Sequence, residues 1–570
     1  MKRTLLLISL SSALLLLAAC GGGESESASP PPAAQSPPAG QSQPAAQPQD
    51  TAQSQPPGQA GQSSGDGTGQ GQPPAVGDGD GDGPRKTLNF AVFSVIDTLE
   101  PTNAWDSWYV VRIGVGENLV RFSKTMAPEP WLAESWTLAD DKLTWTFKIR
   151  EGVKFSNNKP LDAAAAKRSI ERVQRLAPDR VSSEFFLAES IEADGMNLVI
   201  KTAGPTPGLP GILADPLFLI LDAEADDASV KANGPVCTGP YKYLPRSGDN
   251  INAVRNDLYW AGRPRLDEVN FIAVTDPNTR ALALQSGDVD IAANMGNTDV
   301  PIFLSDPDFK VEEIESLRLV MAFMNLKGPL ADESLRKAVK SAIDLETLCA
   351  TLLSGRFSPG VGPLPPSLGF GFSGLRDPNA FDLEKARADL AEGGWSDADG
   401  DGVVEKDGVP AVIDYVYYTD RLELPLLVEA TQDSLSALGI KVNLNAVEYN
   451  NLAARRKSGD FGMLIMNIIT AGTGDPQSFL VSQFETGAFN NSNSYSNPEL
   501  DAIFAELKTE FDPDRRSELV ARAQQSLLDH PAHVFYAYPN TNLVHNLKVT
   551  GVEMLPADYY WVTTNIDKTM

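Results

Sequence analysis

Cysteine and histidine are scarce, with three of each in 570 residues. So few cysteines exclude a disulfide framework as the source of stability, and His530, His533 and His545 are the only imidazoles available to a metal or a proton-transfer site. Basic residues are also in deficit, 47 against 75 acidic, for a formal charge of −28. Nucleic acids and anionic lipids need basic surface, so both are excluded as electrostatic partners. No G-x-S-x-G elbow, H-E-x-x-H helix, strand-borne G-x-G-x-x-G or Walker loop occurs. A secreted hydrolase with a carboxylate pair stays open as a distant alternative, because that pair is defined by separation in space.

What is present begins with MKRTLLLISLSSALLLLAAC: a basic start, an apolar run and a small-residue exit. The run is about fifteen residues, short of the roughly 20 that span a bilayer. Residues 1–19 therefore read as a secretory signal, and Leu17-Ala18-Ala19-Cys20 as a lipobox in which Cys20 is acylated. From there to residue 84 the chain is Gly, Pro, Ser and Gln with hardly an apolar side chain larger than Ala, a composition unable to bury enough surface to order. As a coil it would span about 40–50 Å, a tether between the membrane and the rest of the chain. Cys237 and Cys349 are expected as buried free thiols.

The remaining chain is too long for one core, so two or more lobes are expected. Thr87–Phe93 reads as a first strand, followed by Trp105, Trp108 and Tyr109. Leu143, Trp145, Phe147 and Ile149 alternate with polar residues, a strand with one buried face, after the turn Ala139–Lys142. Asp162 caps a helix carrying Ala166, Ile170, Val173 and Leu176 inward. Further helices are expected over Asn278–Gln285, Ser334–Leu353 and Pro425–Leu438, and after the caps Asn497 and Asp512. Val412–Tyr418, the Pro425 helix and Ile440–Val447 form a strand, helix, strand unit with parallel strands and a right-handed connection.

Within this pattern WLAESWTLADDKLTWTFKIREGVKFSNNKPLDAAAAKRSI, then CTGPY and RNDLYW near Cys237 and Arg255, and the GDVDI turn resemble the family 5 extracellular solute-binding proteins, peptide and nickel receptors of ABC importers. The resemblance runs over roughly Thr87 to Val552. It implies an α/β periplasmic binding protein-like fold (type II, large three-lobed cluster): lobe I from 85–121, 236–325 and 545–570, lobe II from 122–235, lobe III from 326–544. Lobes I and III would close on the ligand, and the closed monomer would deliver it to an ABC permease without cofactor or catalysis.

The stretch from Asp460-Phe461-Gly462-Met463 to Gly474-Asp475-Pro476 resembles the family's strand and cleft loop. Peptide-binding members hold the ligand's α-amine with an Asp at the position of Gly472, and nickel-binding relatives often carry His and Trp at the positions of Gln477 and Thr470. Both anchors are missing. The expected ligand set is Trp105, Trp108, Tyr109, Asn294, Met295, Asn467, Thr470, Gly472, Thr473 and Asp475, for a peptide or similar small solute, with a nickel chelate as the alternative. Asp397, Asp399 and Asp401 are spaced like the first half of a calcium loop, but its twelfth position is Gly408. His530 and His533 straddle Pro531 and read as capping or surface residues.

Overall fold

The computed structural model describes residues 85–94, 98–103, 105–186, 188–244, 250–370 and 372–569; the expected signal, Cys20 and tether lie outside them. Two sheets organise the described chain. The larger has twelve strands. Its path runs Lys441–Val447, Val412–Tyr418, Met463–Ile469, Arg318–Met324, His533–Asn546, Ile291–Ala293, Thr87–Val92, Glu268–Ala273, Ile251–Arg255 and Tyr241–Tyr243. The smaller is an antiparallel sheet of Ala133–Leu138, Thr144–Ile149, Asn197–Thr202 and Ala188–Asp194, against which the helix Ala163–Leu176 packs. Among the described residues no helix is long and apolar enough to cross a membrane.

Local chemistry accounts for most elements. Trp145, Phe147 and Ile149 are buried at alternate positions, and the Asp162 carboxylate accepts from the Ala165 amide to start its helix. Asn497 and Asp512 cap their helices in the same way, each followed by Pro in the first turn, whose missing N–H costs nothing there. Val412–Tyr418 and Lys441–Val447 pair in parallel across the helix Glu423–Ser436. The helix expected over Ser334–Leu353 is instead two, Glu333–Ser341 and Leu345–Thr351. Asp344 breaks it by capping the second helix, its carboxylate accepting from the Thr347 amide, while the apolar spacing continues across the break.

The strand His533–Asn546 joins the two halves of the large sheet. Val534–Ala537 lie opposite Val320–Ala322, whereas Asn540–Asn546 lie opposite Phe309–Glu315. Pro539, without an N–H to donate, stands at the change of partner, and its carbonyl accepts from the amide and hydroxyl of Ser316. Arg318–Met324, which the expected boundary at residue 325 assigns to lobe I, is paired on both edges with segments expected in lobe III. One large core holds Phe90, Phe147 and Trp561, and a second holds Phe323, Tyr415 and Tyr536. Cys237 and Cys349 are buried and unbridged, one in each core. His533 is not a surface residue. It is 1% exposed, packed among Phe323, Phe484 and Tyr495, while His530 is the C-cap of Pro513–Asp529.

Candidate ligand-binding site

The helix Asp106–Arg112 is buried along its whole length, so its aromatics are fixed by packing rather than free to sample solvent. Trp105, just before it, is 52% exposed, stacks edge-on against Trp108 at 5.4 Å and lies under the Arg180 guanidinium. Trp108 in turn meets Tyr559 edge-on at 5.2 Å, and Tyr109 donates its hydroxyl to the Ser94 carbonyl. Tyr559 donates to the Gly472 carbonyl at 3.2 Å, tying the C-terminal segment to the loop after Met463–Ile469. Thr470 anchors that loop by donating to the Leu317 carbonyl, and Thr473 donates to the Asp475 carbonyl. Trp105, Trp108, Gly472 and Thr473 are thus brought into one neighbourhood by Tyr559, which the pattern of the sequence did not single out.

Four expected ligand residues are otherwise engaged. Asp475 is held by Arg516 through Nε and Nη2 at 3.1 and 2.6 Å and accepts from the Gln477 amide, so its charge is already neutralised. It borders a cavity of about 250 Å³ with Ser182, Gly208 and Lys508. Asn294 accepts from Thr541, and the Met295 amide donates to Asn542, while Met295 packs into a small separate core with Val300 and Val544. Asn467 donates to Glu423 at 2.7 Å and accepts from Arg318 at 3.4 Å, which puts it beside a charged cluster.

That cluster was missed by the sequence reading. Arg112 donates through Nε to the Asp558 carbonyl and lies 4.2 Å over the Trp561 ring. Arg318 and Arg112 approach the Asp558 carboxylate at 3.7 and 3.9 Å. Arg421 extends toward Phe93, 5.9 Å from its ring. Burial, reinforced by the neighbouring Arg421, lowers the Arg318 pKa to about 10, and burial pushes Tyr418 up to about 12. The available signals were a lone Arg inside the apolar run Leu317–Met324 and the aromatic triplet Tyr559-Tyr560-Trp561.

For metals, the described residues hold one group of three clustered ligands, Asp397, Asp399 and Glu405, at the surface. Glu405, not the expected Asp401, completes it, because the loop folds back through the Ser396–Glu405 bridge. Asp397 accepts from the Gly400 and Gly402 amides, and Asp401 from the Val403 amide. These carboxylates therefore shape the turn.

The profile of bacterial extracellular solute-binding proteins, family 5 Middle, matches residues 127–491. The chain belongs to this family. It is 29% identical over 382 residues to the nickel-binding periplasmic protein of Escherichia coli K12, covering 65% of this chain and 72% of that one. It is 27% identical over 491 residues to the glutathione-binding protein GsiB of Salmonella paratyphi A, covering 83% and 92%. Among solved structures, NikA from Brucella suis in complex with Fe(III)-EDTA superposes with a TM-score of 0.76 at 26% identity, covering 85% of this chain and 100% of that one. The fold is accordingly the α/β periplasmic binding protein-like fold expected from the sequence.

Proposed function

We propose that this protein is the substrate-binding receptor of an ABC importer, which captures a peptide or similar small solute by lobe closure and presents it to the membrane permease. The observation that carries the site assignment is the meeting of three distant segments: the aromatic helix Asp106–Arg112, the loop 470–475 and the C-terminal residues Asp558–Trp561. Rigid aromatics cover a ligand's apolar parts, while backbone and amide groups take its polar atoms. Kinship with a glutathione receptor supports the peptide class. Kinship with a nickel receptor keeps a chelate as the runner-up. Two of the three histidines are closed to a chelate's metal, since His533 is buried in the second core and His545 in the long strand.

In this reading lobes I and III close on the ligand with lobe II alongside, and the hinge lies where Leu317–Arg318 and Tyr538–Asn540 pass from one half of the large sheet to the other. The monomer is exported and held at the membrane face by an acylated Cys20. It performs no catalysis. Incorporation of labelled palmitate that survives Cys20→Ser would refute that anchor.

The test of the site is a thermal-shift screen of the full chain against di- to pentapeptides, opines, sugars and nickel–histidine. A solute at 100 times its Kd adds about 2.7 kcal/mol. Trp105→Ala should abolish most of that gain. A shift untouched by this change would place the pocket elsewhere.

A further inference from the structure

Arg318 is mostly buried, with less compensation than a guanidinium requires. It carries five N–H donors. The described structure gives its side chain one long hydrogen bond, to Asn467 at 3.4 Å, and an ion contact to Asp558 at 3.7 Å, with only 18% of the side chain exposed. Asp558 is shared with Arg112, which reaches its carboxylate at 3.9 Å. Arg421 adds a third positive charge close enough to depress the Arg318 pKa, and no carboxylate pairs with it among the described residues. Glu423 is committed to Asn467 and Asp475 to Arg516.

Arg318 and Arg112 therefore share the Asp558 carboxylate beside Trp108 and Tyr559, and Arg318 is left with N–H donors that no close acceptor meets, inside a protein of net charge −28. Such a shortage of acceptors is unfavourable, because a partly desolvated cation without a full set of acceptors is destabilising. Asp558 and Tyr560, at φ +59° and +54°, hold the opposing segment in a strained left-handed backbone, which surrounding packing must enforce. An anion with two oxygens answers the deficit. A carboxylate accepts two parallel N–H bonds from a guanidinium and is drawn in by the local field against the repulsion of the whole molecule.

We propose that the solute is anionic and that Arg318, assisted by the charge of Arg421, selects it by binding a carboxylate. This deepens the receptor reading and rests on it.

The test compares carboxylates with their neutralised forms on the full chain by calorimetry: glutathione against its diester, tri-alanine against its C-terminal amide, and citrate against its trimethyl ester. At least one free acid should bind ten-fold or more tighter than its neutral form, and Arg318→Met should remove that ratio. Arg318→Lys should restore part of it. In the absence of ligand, Arg318→Met should raise Tm, since the cation is under-compensated there; a fall in Tm would mark Arg318 as structural and overturn the inference. Arg421→Gln, should Arg318→Met fail to fold, must weaken the acid and leave the ester unchanged. Equal affinity for acid and ester refutes the anion while leaving a receptor standing. Silence across the panel together with a silent neutral-solute screen overturns both.

Discussion

His533 offers a pH dependence whose size follows from its surroundings. The ring is 1% exposed and enclosed by Phe323, Phe484, Tyr495 and Phe535. The Asn493 side-chain nitrogen lies 3.2 Å from Nε2 and also faces the Met324 and Ala532 carbonyls, which fixes that amide as the donor and Nε2 as the acceptor. Protonating Nε2 would set donor against donor in a dry cage. Burial, with Lys340 and Arg336 adding repulsion, lowers the pKa to about 3 from 6.5. The unfolded chain therefore binds one proton more than the folded chain between those values, and stability must fall as pH drops below about 6.5. At pH 4.5 the loss from this residue is about 2.7 kcal/mol relative to neutral pH, approaching 1.4 kcal/mol per pH unit. Carboxylates titrate in the same range, so the measurement is a double difference: urea unfolding of parent and His533→Phe at pH 7.5 and pH 4.5. The Phe variant should lose about 2–3 kcal/mol less on acidification. Equal losses in the two proteins would refute the neutral, caged imidazole.

Two further outcomes test close contacts. A Cβ on Gly211 would stand well inside 3.0 Å of the Thr473 carbonyl oxygen, so Gly211→Ala should cost about 1–3 kcal/mol at that seam; an unchanged melting temperature would mean the two segments do not meet. Glu117 is buried, its pKa raised by that burial and opposed by four donors: Thr238, Tyr259, Trp260 and Trp131. Indole N–H groups cannot turn into acceptors, so Glu117→Gln should destabilise by about 1–3 kcal/mol in urea unfolding, and a neutral result would show the carboxyl to be held protonated.

The Glu117 cluster also explains why some of the sequence was readable and some was not. The motifs that carried the family resemblance, from Trp131 onward, around Thr238 and at Tyr259-Trp260, converge on this one carboxylate. They mark a structural knot and say nothing of the ligand. Caps at Asp162, Asn497 and Asp512 were legible because each acts within three residues. The break at Asp344 was hidden because apolar spacing runs through it, and the partner change at Pro539 because strand pairing depends on residues hundreds of positions away.

Of the candidate site, the aromatics and the loop 470–475 were found through motif and composition. Arg112, Arg318, Arg421 and Asp558 were not, since they stand on a helix end, a strand and two loops far apart in the chain, and no local pattern shows that they meet. In the proposed site those charges are the groups on which ligand choice is expected to turn. Aromatic walls accept many solutes, whereas a mostly buried guanidinium short of acceptors rejects a neutral one by leaving its donors unmet. Specificity in this receptor is therefore expected to follow the residues furthest apart in the chain, and the shared motifs to follow the fold.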